Sequence, residues 1–518
     1  MARFYLTTAI DYANGDPHIG HALEKIGADA IARYRRLAGD DVYFLMGMDE
    51  HGQKVAQAAA ERGITPQEFV DAIAARFTDT WKRLNISYDR FIRTTEAGHK
   101  RGVVALIDTI RRRTPDDFYE KTYEGWYCVG CELFKRENEI VDGRCTIHPT
   151  RELQWTEERN WFFRLSKYAP FLKQLITDQP RFIQPESRRN EILALIDQGL
   201  EDISITRSRL SWAIPFPIPT STGETQGTWV WFDALPNYLT ATGYPDAGYE
   251  SRWPAQLHVV GKDITRLHVV VWPAMLHAAG IALPEQVWGH GFVAVGGERL
   301  SKSAGVKLDL DATIAMYHPD AFRFFLLREV PFDGDGSISL ERFDERYNSD
   351  LANSLGNLAS RALSMIEKYC GGVVPPGSPT ALDQSDAAEL RAYHEAMNGA
   401  NGYLLHQGLD AVMRSVRAGN EYVQSSAPWT VAKDPARKAE LDTIMAALAR
   451  HLARHAICLF PFMPEKSAAL WSALGAPGRL EDQRFDTLDS LDAAGWKVAK
   501  GDPLFPRSET TGSRGQER

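Results

Sequence analysis

RFYLTTAIDYANGDPHIGHALEKIGADAIARYRRLAGDDVYFLMGMDEHG, residues 3–52, decides the fold. Residues 3–10 are rich in β-forming side chains and lead into the turn-forming run Asn14-Gly15-Asp16-Pro17. A helical pattern follows from Ile19 to Ala38, and then DDVYFLMG, residues 40–47, reads as a buried strand. That strand stops at Met48-Asp49-Glu50-His51-Gly52, and a second helical stretch runs from Lys54 to Arg62. Strand, helix, strand, helix is the order of an α/β doubly wound, Rossmann-like parallel sheet. Ligands of such sheets sit at the carboxyl ends of the strands, where both polar clusters of this stretch fall.

Around Thr114 the pattern breaks into short, aromatic-rich pieces, and βα character returns only near Thr228 to Phe232 and Leu257 to Gly261. The expected organisation is a sheet domain over 1–113 and 228–296, split by an insertion over 114–227. A linking module over 297–345 follows it. From Arg346 the text turns to amphipathic helices, Leu351 to Tyr369, Ala387 to Gln407, Leu409 to Gln424 and Lys438 to Phe460, which fit an all-α bundle over 346–500. Residues 501–518 read as a disordered tail.

Hydrophobic residues at 44% and charged residues at 25%, with a mean hydropathy of -0.32, exclude fibrous and disordered classes. The longest apolar region, Leu267 to Pro284, is interrupted by His268, Pro273 and His277 and falls short of a membrane span. No signal-peptide pattern opens the chain, so a soluble cytoplasmic protein is expected. A net charge of -9, from 59 basic and 68 acidic residues, means that any nucleic-acid partner must be met by a local patch. Five cysteines are too few for a secreted disulfide framework, and three of them cluster.

That cluster has metal spacing: Cys128-x2-Cys131, thirteen residues, then Cys145-x2-His148. Four soft ligands in this pattern point to one structural Zn2+, with Asp142-Gly143 turning the chain between the halves. Closed four-ligand sites fold a module and leave no open position for catalysis.

His18-Ile19-Gly20-His21 begins a helix directly after a strand. Backbone N–H groups at such an end attract phosphate, two imidazoles three residues apart share a face, and Gly20 lets a flat ligand approach. Alone, two such histidines read more readily as a helix cap or as exposed side chains. Late in the sheet domain, Arg299-Leu300-Ser301-Lys302-Ser303-Ala304-Gly305 is a small lysine-bearing loop, in which Lys302 can set a point charge on a polyphosphate.

Together these two motifs resemble the HIGH and KMSKS signatures of class I aminoacyl-tRNA synthetases. The chain departs from that pattern at Arg299 and Leu300 and keeps Lys302. The segments TAIDYANGDPHIGH, MGMDEHGQK, WVWFDALPNYL and VGKDITRLHVVVWPAML resemble methionyl-tRNA synthetases in particular. The resemblance implies a methionine pocket of Ile10, Tyr12, Trp231, Ala234, Leu235, Tyr238, Ile264 and His268, with Asp49 as partner of the substrate ammonium. It implies ATP contacts from His18, Gly20, His21, Gly261, Asp263 and Lys302, with His18, His21 and Lys302 as the catalytic set and Mg2+ accompanying ATP. Asp11 is a further departure, since family members commonly carry an uncharged residue there.

An apolar, polarizable thioether suits aromatic walls with one or two polar donors, and a carboxylate at a strand end suits an ammonium group. The implied reaction is ATP-dependent formation of methionyl-adenylate followed by transfer to the 3'-terminal adenosine of tRNA(Met). The resemblance also implies anticodon reading by Asn357, Arg361 and Trp429, the first two being one helical turn apart. Unpaired bases are read by stacking and by hydrogen bonds to their edges.

Two rival readings, another class I synthetase and a non-catalytic relative, fit the residues less well. Cysteinyl enzymes hold zinc in the active site, whereas these ligands cluster in the insertion, and 114–227 leaves no room for the editing insertion of the aliphatic enzymes. A non-catalytic tRNA-binding relative is disfavoured by intact His18, His21, Asp49 and Lys302. With no appended dimerisation domain in view, a monomer is expected.

Overall fold

The structure, a computed structural model, describes residues 2–128, 133–135, 137–147, 149–150, 152–208, 210–295, 298–299, 309–488 and 490–506. Cys131, His148 and Lys302 lie outside the described residues.

Seven strands form one parallel sheet. Ile183–Gln184, Val287–His290, Leu257–Gly261, Arg3–Thr8 and Asp41–Asp49 follow in that spatial order, and both Asp11–Tyr12 and Arg90–Arg93 pair with Asp41–Asp49. Leu6 is in register with Phe44 on one side and Leu257 on the other. The inner strands are near-continuous apolar runs because both faces are covered, and Tyr5, Leu6, Phe44, Leu45, Val259 and Val260 are all buried. The chain builds outward from Arg3–Thr8 to Arg90–Arg93, then returns to add Leu257–Gly261 and Val287–His290 on the opposite side. Strand order therefore reverses between Arg3–Thr8 and Leu257–Gly261, which opens a crevice at their carboxyl ends.

Helix Ile19–Leu37 starts at that crevice. His18 caps it: its Nδ1 accepts from the Gly20 N–H at 3.2 Å, and the His21 Nδ1 accepts from the His18 N–H at 3.3 Å. Arg35 and Arg36 close its last turn, where cations favour the helix dipole. The helix is buried on nearly every side, and a Cβ at Gly27 would run into the Phe332 ring.

The segment between the halves of the sheet carries a four-stranded antiparallel sheet, ordered Ile203–Ser204, Gln154–Phe163, Phe118–Cys128 and Leu133–Lys135. Its base is anchored by buried Phe118 and Phe163, and its tip carries the exposed Trp126 and Trp155. Five features differ from the sequence reading of this region and of the C-terminal half.

Ile183–Gln184, inside 114–227, leaves the insertion to pair with Val287–His290 at the edge of the main sheet. Thr228 to Phe232, read as part of the returning βα pattern, instead splits. Gly227–Thr228 pairs with Thr206–Arg207, the Trp229 N–H bonds the Ile205 carbonyl, and Val230–Ala234 turns helical. Aromatic and β-branched composition suited either state, and the neighbouring strand decided it.

In the C-terminal half, the helix expected over Ala387 to Gln407 ends at Met397, with a new helix from Leu405 to Ser426. Gly399 and Gly402 both take positive φ, and the bare Gly402 Cα lets the Trp288 ring close against it. Leu351 to Tyr369 is also not one α-helix, because Tyr347–Gly356 is π-helical before Asn357–Cys370 resumes the α form. Within the expected tail, Phe505 is buried against Tyr347, so apolar packing holds the chain as far as that residue.

Candidate active site

The crevice holds a cavity of about 650 Å3. Four strand ends supply its floor. Arg3–Thr8 leads into Ala9, Ile10, Asp11 and Tyr12, and Asp41–Asp49 ends on Asp49. Leu257–Gly261 leads into Asp263, Ile264 and His268, and Val287–His290 ends on His290. His18, Gly20 and His21 close one end from the helix start. Trp231, Ala234, Leu235 and Tyr238 form the opposite wall, and Ile147, from the insertion, reaches over the cavity. The cavity thus brings together every residue expected for methionine, and every one expected for ATP except Lys302.

The apolar end contains a polar pair. The His268 Nδ1–H donates to the Ile264 carbonyl at 3.0 Å, which leaves Nε2 to accept the Tyr238 O–H at 2.7 Å. Burial lowers the His268 pKa to about 4, so the ring is neutral at pH 7, and burial drives the Tyr238 phenol far above its ordinary range. Trp231 stands edge-on to His268, with ring centroids 6.2 Å apart. This end therefore offers aromatic surface and neutral dipoles to a side chain.

At the other end the two imidazoles stack at 3.6 Å. Both Nδ1 atoms are used in capping, so the cap and a ligand-facing role are compatible. Asp263 folds over Gly261, where a Cβ would sit 2.7 Å from its Oδ1, and burial raises the Asp263 pKa. The carboxylate and the backbone beside it line the cavity.

Asp11 also lines the cavity. Beneath it lies a charged cluster that sequence reasoning missed: Lys25, 0% exposed, holds Asp11 Oδ1 at 2.9 Å and Glu24 Oε1 at 2.6 Å, and His290 Nε2 meets Glu24 Oε2 at 3.1 Å. Glu24-Lys25 reads as a solvated pair on an amphipathic helix. Only the presence of Asp11 on the adjacent strand end signalled a partner. Behind the Trp231 wall, buried Asp233 bridges His51 (2.6 Å) and His99 (2.9 Å), fixing helix Val230–Ala234 to the end of the Asp41–Asp49 strand.

Of the expected metal ligands, Cys128 and Cys145 are both fully buried, in a small cluster with Leu153 that Ile140 packs against. Hairpin Ile140–Val141/Arg144–Cys145 turns through Asp142 and Gly143, both at positive φ. Two buried thiols in a module with almost no apolar core fit a site that a metal would fold. In the helical domain, Arg361 lies over Trp429 with its guanidinium carbon 5.8 Å from the ring centroid. Trp429 is 39% exposed, and Asn357 is exposed one turn before Arg361.

A crevice at the strand-order reversal, with a histidine-capped helix at one end and an apolar pocket at the other, defines a nucleotide-using class I synthetase. The family model for class I tRNA synthetases (M) matches residues 4–152 and 135–363, and the chain belongs to that family.

Within the class it belongs with the methionine–tRNA ligases. A model of the anticodon binding domain of methionyl tRNA ligase matches residues 375–512. The methionine–tRNA ligase of Brucella suis is 43% identical over 98% of this chain and 98% of its own. That of Caldanaerobacter subterraneus subsp. tengcongensis is 41% identical over 97% of this chain and 78% of its own. Mycobacterium tuberculosis methionyl-tRNA synthetase in complex with methionyl-adenylate superposes with a TM-score of 0.90 at 39% identity, covering 98% of this chain and 100% of that one.

Proposed function

We propose that the chain ligates methionine to tRNA(Met) in two steps, both in the cavity at the strand-order reversal. The observation that carries this is the joining, within one cavity, of the His18/His21 helix start and the Trp231–Tyr238–His268 pocket. The carboxylate of methionine attacks the α-phosphorus of ATP, which enters with Mg2+. A carboxylate–phosphorus bond forms, the α–β bridging bond breaks, and pyrophosphate leaves. The terminal ribose hydroxyl of tRNA then attacks the activated carbonyl and releases AMP.

No protein nucleophile is used. Ile10, Tyr12, Trp231, Ala234, Leu235, Tyr238, Ile264 and His268 enclose the thioether, Asp49 takes the ammonium, and Gly261 and Asp263 receive the adenosine. His18, His21 and Lys302 stabilise charge on the transferring phosphoryl group. ATP–pyrophosphate exchange across a panel of amino acids tests the reading: exchange with methionine alone is expected, and exchange with another amino acid in its place would overturn it.

Cys128, Cys131, Cys145 and His148 are read as the ligands of one structural Zn2+, which takes no part in the reaction. Elemental analysis is expected to give one zinc per chain, and Cys145→Ser to lose most of it. A metal-free wild-type protein that is folded and active would contradict the assignment.

Asn357, Arg361 and Trp429 are read as the anticodon contacts, supported by the Arg361–Trp429 stack on an exposed surface. Base stacking on an aromatic contributes about 1–3 kcal/mol. Trp429→Ala is therefore expected to lower kcat/KM for tRNA charging by about 10-fold to 100-fold with exchange unchanged. Equal loss in both assays would point to misfolding instead. The enzyme is further read as a cytoplasmic monomer, and among the described residues no helix is long and apolar enough to cross a membrane.

A further inference from the structure

Asp11 is buried at 5% exposure in the cavity wall, and its two oxygens differ. Oδ1 is held by Lys25 at 2.9 Å and faces His21 Nε2 at 4.0 Å, whereas Oδ2 accepts no hydrogen bond among the described residues. Lys25 is fixed in turn by Glu24 and by the Ala9 carbonyl at 2.8 Å.

The His21 ring is constrained from its other edge. Because Nδ1 accepts the His18 N–H, the proton of the neutral imidazole must sit on Nε2, the edge turned toward Asp11. A rotated or flipped ring would lose both relations at once.

We infer that Asp11, held by Lys25, is a positioning residue for adenylate formation: its carboxylate, 4.0 Å from the Nε2 edge of a ring whose tautomer the His18 N–H already sets, attracts that edge and fixes the ring's orientation at the cavity end that receives the polyphosphate. The inference rests on the function proposed above, with His21 as a phosphate ligand. A carboxylate at this place would ordinarily repel ATP, and the buried ammonium of Lys25, which Asp11 shares with Glu24, reduces that penalty.

The groups facing Asp11 fix the expected pH response. Lys25, Glu24 and His21 come from helix Ile19–Leu37, Tyr238 from the facing wall and Asp49 from the neighbouring strand, with His290 coupled through Glu24. Burial pushes the Asp11 carboxyl up to about 7, with Lys25 opposing that rise and Glu24 adding to it. The ionised form, which holds His21, is then progressively lost as the pH falls through neutrality.

The test is kcat/KM for ATP in methionine-dependent exchange, from pH 5.5 to 9. Asp11→Ala removes the carboxylate and is expected to lower this ratio by about 3-fold to 10-fold at pH 7.5, the worth of a charge contact without a hydrogen bond, with KM for methionine unchanged. Asp11→Asn keeps a neutral acceptor of the same shape, so it is expected to recover most of that loss and to flatten the acid limb of the wild-type profile. Asp11→Ala/Lys25→Met, in which no unpaired ammonium remains and Glu24 keeps His290 as its partner, is expected to keep the ATP defect should the single variant fold poorly.

Wild-type kinetics in Asp11→Ala or in the double variant would overturn the inference. So would an unaltered acid limb in Asp11→Asn, or equal losses toward ATP and methionine. Absence of methionine-dependent exchange in the wild type would instead strike the underlying function, and the two failures are thereby distinguishable.

Discussion

Asp49→Asn is expected to lower kcat/KM for methionine by about 10²-fold to a few times 10³-fold in ATP–pyrophosphate exchange, and to leave KM for ATP within a few-fold of wild type. Asp49 ends the strand beside the central one, is 8% exposed, lines the cavity, and is held in register with Tyr12. An ammonium group entering this site leaves water for a wall built largely of Trp231, Leu235 and Tyr238, where its charge must be met by a carboxylate. Removing one partner of a desolvated charge pair costs about 3–5 kcal/mol, and each 1.4 kcal/mol is tenfold, which gives the stated range. Asparagine preserves shape, so the fold is expected to persist. Saturation kinetics in each substrate separate the outcomes, and a loss falling mainly on ATP would place the carboxylate at the nucleotide instead.

The legible part of the fold was the part set by local pattern. Residues 3–52 alternate apolar runs with an amphipathic stretch and a proline entry at Pro17, and they form the strand, helix and strand that this pattern requires. Where non-local pairing decides, the text was ambiguous. Ile183–Gln184 is too short to announce itself as a sheet edge, and Val230–Ala234 carries strand-like residues that a neighbouring strand forces into a turn of helix. The break after Met397 needed two facts together: glycines at 399 and 402, and a distant Trp288 that fills the space they leave.

For the site, the strand-end rule brought the clusters around His18 and Asp49 into view, because each stands at a strand's end or its turn, and the family resemblance singled out Gly261 and Asp263. Glu24 and Lys25 were hidden for the opposite reason. Charges on an amphipathic helix normally face solvent, but helix Ile19–Leu37 is covered by the sheet and, along the far side, by Pro319–Glu329, so its polar stripe is interior. A lone acidic residue at a strand end, such as Asp11, is the signal that such a stripe has an internal partner.

The same buried stripe sets the second large effect: Arg323→Met is expected to destabilise the protein by about 3–5 kcal/mol. Arg323 is 0% exposed and donates to Asp29 Oδ2 at 2.6 Å, to the Leu84 carbonyl at 3.1 Å, and to the Pro461 and Phe462 carbonyls at 2.8 and 2.9 Å. One guanidinium thus ties the helix that begins at His18 to the turn after Lys438–Leu459. Methionine fills the space without satisfying those three carbonyls, and leaves Asp29 with Arg33 and Ser87 only.

Burial alone would raise the Asp29 carboxyl, but Arg33, Arg323 and the Ser87 hydrogen bonds hold it well below the usual carboxylate range. A depressed pKa contributes stability that is present above the unfolded value of about 3.9 and lost as pH falls below it toward the folded one. The gap between wild type and Arg323→Met is therefore expected to be full at pH 7 and to narrow below pH 4. Urea unfolding at both pH values measures it, with Asp29→Asn/Arg323→Met expected to cost less than the sum of the single variants because both act on one pair. A loss under 1 kcal/mol at pH 7, or strict additivity, would mean that the guanidinium is dispensable to the join between the catalytic helix and the helical domain.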